Sequence, residues 1–350
     1  MRQSYDYFIQ WHLTDRCNLA CRHCYQQGVG YIEMPTGQIL SFMDDHRDML
    51  DGWASDYDLD VTGSYQFTGG EPLLRDDIFD ILDAARAANF KTFLMTNGTM
   101  IDAAVAERLA HTGVEAVQIS LEGIPSTHDY IRGSGSFART AEGFRALAEA
   151  DVDATANVTL SRKNVDQIEK VTRLAAEVGA KRIGFGRLVP EGRGLDMINE
   201  MLSADELAEA FNLIKSLRVD GIAAITRDPL SCSINDDPDP YSCGSTAVAG
   251  CAAGLSGVTI LPDGTVMPCR RLNIAIGNIN ETPLREIWAT NPILEDLRDK
   301  SAYTGKCGDC DSWDVCRGCR AIAYAASLTA GTPDYLSDDP QCLKARIPTP

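Results

Sequence analysis

Three cysteines stand within eight residues near the start of the chain, in the segment CNLACRHC (17–24). Cys17, Cys21 and Cys24 have the spacing CxxxCxxC, and cysteine thiolates bind both zinc and iron–sulfur clusters. A structural zinc site is normally closed by four ligands, and the nearest fourth candidate, His23, lies between two of the cysteines. Three thiolates on a 4Fe–4S cluster would leave one iron open for another ligand. The motif alone leaves both alternatives in place.

A second group of cysteines occupies the last third of the chain. Its members include the segment CGDCDSWDVCRGC (307–319), with the spacing CxxCx5CxxC, and four of them could also form a zinc ribbon. The N-terminal segment has no apolar stretch of signal-peptide length, so we expect a protein of the reducing cytoplasm, where close cysteines serve metal or redox chemistry more often than disulfides. The nine cysteines of this group are Cys232, Cys243, Cys251, Cys269, Cys307, Cys310, Cys316, Cys319 and Cys342.

The elements that must position these residues alternate between short β-like runs and amphipathic helices. Six strands, each followed by a helix, predict parallel βαβ units, because parallel strands need crossover connections. Six units are too few for a closed eight-unit barrel, so the prediction is an α/β fold with an open, partial (β/α)6 TIM-like barrel. The predicted strands are 8–14, 65–69, 91–98, 116–123, 154–160 and 182–188. The predicted helices are 36–50, 77–88, 102–112, 137–150, 165–178 and 204–217, the last opening with a capping box between Ser203 and Glu206.

The pattern changes at about residue 226, where loop-forming sequence replaces the alternation. We predict two domains, 1–225 and 226–350, with 235–244 (NDDPDPYSCG) as the hinge. The second domain is expected to be small, loop-rich and held together by metal.

Charge and hydropathy exclude some partners. The formal net charge of −18 argues against nucleic acid, because phosphate binding needs a cationic surface. The longest stretch of small apolar residues, 321–330, is far too short to span a membrane.

Polar motifs recur at the ends of the predicted strands, which is the edge where α/β barrels carry their active sites. CxxxCxxCY follows the first strand, TGGEP (68–72) follows the second, and SLEG (120–123) follows the fourth. This combination resembles the radical SAM superfamily. The resemblance implies that the first cluster binds S-adenosylmethionine through its open iron, and that reductive cleavage gives a 5′-deoxyadenosyl radical, which abstracts a hydrogen atom from a substrate.

The resemblance also assigns residues around the cofactor. Tyr25 would lie near the adenine, Gly69, Gly70 and Glu71 would hold the methionine amino group, and Asn97 would line the same rim. Ser120 and Glu122 would contact the ribose or the carboxylate, and Arg132 could pair with the carboxylate through its planar guanidinium group.

The C-terminal cysteines resemble the SPASM extension of radical SAM enzymes, which holds two auxiliary 4Fe–4S clusters and so implies three clusters in all. By this resemblance Cys307, Cys310, Cys316 and Cys342 bind an outer cluster. Cys251, Cys269 and Cys319 bind an inner one, with Cys243 as its fourth ligand. Cys232 is then left over, and one hypothesis makes it a hydrogen-atom donor to a substrate radical.

The expected function is modification of a peptide or protein side chain by hydrogen abstraction, followed by oxidation or cross-linking. A low-potential donor such as flavodoxin or ferredoxin would supply electrons. The alternative is oxidation, decarboxylation or epimerisation of a small molecule such as a tetrapyrrole, sugar or aminocyclitol. RLVPEGRG (187–194) resembles a segment of SPASM proteins that modify haem precursors, and Arg270, after Cys269, could hold an anionic group. A non-enzymatic alternative is a zinc-binding interaction module.

Overall fold

The computed structural model describes residues 2–26, 28, 30–234 and 249–344. The predicted hinge at 235–244 and Cys243, the predicted fourth ligand of the inner cluster, lie outside the described residues.

A ten-stranded sheet forms the centre of the fold, in the order β10-β9-β8-β1-β2-β3-β4-β5-β6-β7. Strands β1 to β7 are parallel neighbours in chain order, and β8 pairs in parallel with the other edge of β1. The sheet remains open, which confirms the predicted partial barrel, although it contains a seventh parallel strand in chain order, β7, that was not predicted. The strands are β1 (Gln3–His12), β2 (Leu59–Thr68), β3 (Lys91–Thr96), β4 (Ala116–Ser120), β5 (Ala154–Leu160), β6 (Arg182–Arg187), β7 (Ala223–Thr226), β8 (Gly257–Ile260), β9 (Thr265–Met267) and β10 (Gly277–Asn278).

Helices connect the parallel strands, and the six predicted ones are all present. One α-helix between the parallel strands, α4, was not predicted. The region after residue 226 also contains more helices and strands than the loop-rich prediction implied. The helices are α1 (Thr36–Asp56), α2 (Ile78–Ala87), α3 (Ala103–Thr112), α4 (Pro125–Arg132), α5 (Ser136–Glu149), α6 (Ile168–Glu177), α7 (Ala204–Ser216), α8 (Leu284–Thr290), α9 (Pro292–Arg298), α10 (Gly305–Asp309) and α11 (Arg320–Thr329). The capping box of α7 forms as predicted.

Alternation along the strands separates an outer face, which packs on the helices, from an inner face. Trp11 of β1 packs edge-on against Phe42 of α1, with ring centroids 5.0 Å apart. The intervening inner-face positions carry neutral polar side chains on several strands: Gln10 lies in register with Gln66, and Ser120 with Asn157. Phe93 and Met95 of β3 lie on the same face, so the barrel interior mixes neutral polar and apolar side chains.

A buried ion-pair network joins β6 to the C-terminal region. Arg187, at the end of β6, donates to Asp228 (2.7 Å), to both carboxylate oxygens of Asp339 (3.0 and 2.8 Å) and to the Gln341 side-chain oxygen (2.9 Å). Arg187 is 2 % exposed. Its fixed charge therefore links the barrel to the segment that carries the last cysteines.

Candidate active site

The first cysteine motif lies on the loop that follows β1, and the GGE segment after β2 supports it. The Gly70 N–H donates to the Thr14 carbonyl oxygen (2.7 Å), and the Glu71 N–H donates to that of Arg16 (2.8 Å). A Cβ atom would lie 2.3 Å from the Thr14 oxygen at Gly69, and 2.2 Å from the Arg16 oxygen at Gly70. The two glycines are therefore needed for close approach to the protein's own backbone, beside Cys17.

Glu71 connects the ends of β2 and β3. Its buried carboxylate accepts hydrogen bonds from the Thr96 hydroxyl (2.6 Å) and the Asn97 N–H (2.8 Å). Burial raises the pKa of Glu71, and these hydrogen bonds oppose the rise. The Asn97 side chain in turn donates to Asn18, within the cysteine motif (2.7 Å). Glu71 and Asn97 thus fix the rim on which the motif rests.

Glu122 performs the corresponding role on the other side of the motif. Its fully buried carboxylate accepts hydrogen bonds from Arg132 (2.6 Å) and the Thr159 N–H (2.9 Å), and pairs with His23 (3.0 Å). Burial acts to raise the pKa of Glu122, but His23 and Arg132 hold it well below its usual range. Arg132 also points a nitrogen at the Cys21 sulfur, at 3.7 Å. Helix α4 supplies this arginine at its last residue.

The segment after β6, residues 190–194, packs directly on the cysteine loop. The Gly194 N–H donates to the Cys24 carbonyl oxygen (3.3 Å), and the Arg193 side chain donates to that of Cys21 (2.9 Å). Gly192 has a φ of +56°, and a Cβ there would lie 2.7 Å from the Tyr25 carbonyl oxygen. The glycines and arginine of this segment therefore shape the first cysteine site.

Tyr25, directly after the third cysteine, faces two residues from other parts of the chain. Its ring meets His12 edge-on at 6.1 Å, and the Arg270 guanidinium lies over it at 5.6 Å. Burial, aided by the charge of Arg270, lowers the pKa of His12 to about 3, so His12 is neutral at pH 7. His12 was not predicted as a site residue; its place at the end of β1, on the inner face, was the available signal. Ser120 ends β4 on the same inner face.

Four cysteines of the C-terminal region line one cavity of about 540 Å³: Cys307, Cys310, Cys316 and Cys342. They are the four predicted for the outer cluster, and the all-thiol donor set with a cavity between its members fits a 4Fe–4S cluster. Asp339 lines the same cavity. It was not identified from sequence, since only the fold brings it beside these cysteines.

Three further cysteines lie behind that cavity. The Cys251 N–H donates to the Cys316 carbonyl oxygen (3.0 Å), and the Cys319 N–H donates to Asp339 (2.8 Å). Cys269 packs against the buried cluster that contains Cys319. These two predicted inner-cluster ligands are therefore neighbours, and the ligand set stays a prediction.

Two further observations concern a site for a single metal ion and the environment of Cys232. Within the described ranges, no three His, Cys, Asp or Glu side chains gather around a point that one metal ion could occupy. Cys232 is buried. The hypothesis that it donates a hydrogen atom stays a prediction.

Comparison with known proteins matches residues 11–175 to the radical SAM superfamily and residues 251–320 to an iron–sulfur cluster-binding domain, SPASM. An AdoMet-dependent heme synthase of Methanosarcina barkeri is 34% identical over 96% of this chain and 95% of its own. The chain belongs to the radical SAM superfamily. It is a radical SAM/SPASM enzyme, and membership implies S-adenosylmethionine and 4Fe–4S clusters as cofactors.

Two other relatives differ in their named products. An Fe-coproporphyrin III synthase of Methanosarcina barkeri is 29% identical over 95% of this chain and 87% of its own. The mycofactocin maturase MftC of Mycobacterium ulcerans is 31% identical over 96% of this chain and 87% of its own.

Solved structures agree on the radical SAM/SPASM fold. SuiB of Streptococcus suis superposes with a TM-score of 0.71 at 20% identity, covering 97% of this chain and 77% of that one. No helix among the described residues is long and apolar enough to cross a membrane.

Proposed function

We propose that this radical SAM/SPASM enzyme oxidises or decarboxylates a side chain of a carboxylated tetrapyrrole. The observation that carries the proposal is the similarity to the heme synthase over nearly the whole of both chains. The packing of residues 190–194 on the first cysteine loop supports it, because the segment that resembles those of haem-precursor enzymes contacts Cys21 and Cys24. The peptide substrate expected from sequence becomes the second candidate.

When bound, a reduced 4Fe–4S cluster with S-adenosylmethionine would supply the 5′-deoxyadenosyl radical needed to take a hydrogen atom from the substrate. Cys17, Cys21 and Cys24 would hold that cluster. Tyr25 and the backbone at Gly69 and Gly70 would contact the cofactor. The ligands of two auxiliary clusters would be Cys307, Cys310, Cys316 and Cys342 for the outer one, and Cys251, Cys269, Cys319 and Cys243 for the inner one.

Most of the polar side chains at the rim position the cofactor site, and one is available for contact with the cofactor. Glu71 and Asn97 hold the rim beside Cys17, and Glu122 and Arg132 hold it beside Cys21, because their hydrogen bonds run to the motif and its neighbouring strands. They orient the cofactor site through the backbone they fix. Ser120 lies on the inner face and is available to a bound cofactor.

A peptide substrate stays the second candidate, favoured by the similarity to the mycofactocin maturase. In that case the same inner face and the same cysteines would act on a peptide side chain or terminus.

The test is an anaerobic assay of the reconstituted full chain with S-adenosylmethionine, a strong reductant and Fe-coproporphyrin III. We expect deoxyadenosine to form in step with a porphyrin product that has lost carboxyl groups, detected by mass spectrometry. Deoxyadenosine that forms with the porphyrin unchanged, while a candidate precursor peptide is modified in a parallel assay, would transfer the assignment to the peptide candidate.

A further inference from the structure

Arg270 lies between the two kinds of cysteine site. It follows Cys269, a predicted inner-cluster ligand, and its guanidinium lies 5.6 Å from the centre of the Tyr25 ring, which follows Cys24. A group bound to Arg270 would therefore contact the radical site on one side and the C-terminal cysteines on the other.

The contacts of Arg270 leave its charge uncompensated. Its described contacts are the Met95 sulfur, 3.8 Å from Nη1, and the Tyr25 ring, and neither is an anion. Other buried arginines differ, since Arg132 and Arg187 pair with carboxylates, and Arg317 and Arg320 donate to backbone carbonyl oxygens. Among the described residues, no oxygen atom is given as a partner of the half-buried Arg270 guanidinium, in a chain with a net charge of −18. A cation in such a place stabilises an incoming anion.

The other titratable groups that line the cavity with Arg270 are hydrogen-bonded or neutral. Asp15 accepts hydrogen bonds from the Gly30 and Tyr31 N–H groups, and Glu191 is hydrogen-bonded to Asn273. His12 is buried and neutral. Burial raises the pKa of Glu191 to about 7, against the effect of its hydrogen bond, so this carboxyl is only partly ionised at pH 7.

The surface beyond Arg270 is neutral and forms hydrogen bonds. Met95, which Arg270 contacts, accepts a hydrogen bond from the Gln10 side chain (2.9 Å), and Gln10 lies in register with Gln66 on the inner face. An anion that enters the barrel interior thus meets a guanidinium group beside Met95, with the Gln10 amide next to it. A bidentate pair between guanidinium and carboxylate suits this arrangement.

We propose that Arg270 binds a carboxylate of the substrate, which on the proposed function is a propionate group of the tetrapyrrole. This contact would hold the carboxylated side chain between the Cys24–Tyr25 segment and Cys269. Arg270 is then a substrate-binding residue that selects for carboxylated substrates.

The test measures porphyrin binding, independently of turnover. The anaerobically reconstituted full chain is titrated with Fe-coproporphyrin III and with its tetramethyl ester, whose carboxylates are masked, and Kd is read from the absorbance change. We compare wild type, Arg270→Gln, Arg270→Lys and Arg145→Gln at equal iron content. Arg145 is an exposed arginine on α5, so its variant makes the same charge change away from the cavity.

The expected results follow from the strength of a hydrogen-bonded ion pair. Arg270→Gln raises Kd for the free acid by about tenfold or more, Arg270→Lys raises it less, and Arg145→Gln leaves it within about twofold. The ester binds wild type and Arg270→Gln equally. Two measurements keep the test valid if the Gln variant folds poorly. One is the Kd of the Lys variant, and the other is the ratio of the wild-type Kd values for the free acid and the ester, in which the acid must bind more tightly.

Two negative results are distinguishable. If wild type binds the free acid and every Arg270 variant binds it as tightly, the role of Arg270 is overturned while the proposed function stands. If wild type binds neither porphyrin, both are overturned.

Discussion

Glu122 illustrates what a single residue does in this site. Family resemblance assigned it to the cofactor, yet its carboxylate is engaged by His23, Arg132 and the Thr159 N–H. Two of these partners control the first cysteine motif: His23 lies within it, and Arg132 reaches the Cys21 sulfur. Glu122 therefore fixes the loop through its own ion pairs.

Replacement of Glu122 by Gln is expected to loosen this loop. The substitution leaves Arg132 buried without its anion, and breaking a buried pair costs about 3–5 kcal/mol. We expect a lower thermal midpoint and less iron retained at the first site, measured by differential scanning fluorimetry and iron analysis. Glu142→Gln, at an exposed position on α5, is the matched control and should change neither. Equal behaviour of the two variants would contradict the role of Glu122.

At the scale of elements, the hydrophobic alternation of β1 to β6 and of their helices was sufficient to predict the parallel, open sheet. Helix α4 was missed because PSTHDYIR is short and strongly polar, although Pro125 at its start and Gly133 at its end were usable signals. Strand β8 was missed because it is short and its partner, β1, lies about 250 residues earlier.

The same limit applies to the site. The strand-end motifs predicted which residues meet at the rim, because parallel strands end at one edge. They did not predict the partners. Glu71 and Glu122 form hydrogen bonds with other groups of the protein, and the ion pair of Arg187 with Asp339 joins residues 152 positions apart. Such contacts depend on the fold and cannot be predicted from local sequence.

The loop after β2 gives a test at this scale. Gly70→Ala would place a methyl group 2.2 Å from the Arg16 carbonyl oxygen, so the GGE segment and the cysteine loop must separate. We expect at least a tenfold weaker affinity for S-adenosylmethionine, measured by isothermal titration under anaerobic conditions. Gly52→Ala, in helix α1 with no atom within 4 Å of the added methyl, is the control and should bind normally. Normal binding by Gly70→Ala would show that this contact is dispensable.

At the scale of the whole molecule, the two cysteine regions are joined by one continuous sheet and by Arg187. Strand β8 pairs with β1 directly before the first motif, and Arg187 of β6 holds Asp339, which accepts the Cys319 N–H. The barrel thus positions the C-terminal cysteines by backbone pairing and by a buried charge.

Loss of that charge should affect the C-terminal region. Arg187→Gln leaves Asp228 and Asp339 buried without their cation, at a cost of about 3–5 kcal/mol. We expect a markedly lower thermal midpoint and loss of auxiliary-cluster iron, followed by calorimetry and Mössbauer spectroscopy. Arg182 lies on the same strand as Arg187, and Arg182→Gln, which removes an exposed pair with Asp153, should shift stability by less than about 1 kcal/mol. Similar iron content in both variants would show that the C-terminal iron does not depend on Arg187.

The central claim is that the first three cysteines alone hold the cluster at which S-adenosylmethionine is cleaved, while the C-terminal cysteines serve the substrate reaction. The most direct measurement is deoxyadenosine release by the reduced, reconstituted full chain and by two variants. Cys17→Ala should abolish the release, whereas Cys342→Ala should retain part of it and yield little product. Release that persists in Cys17→Ala, or no release from the wild type under strong reductant, would contradict the account.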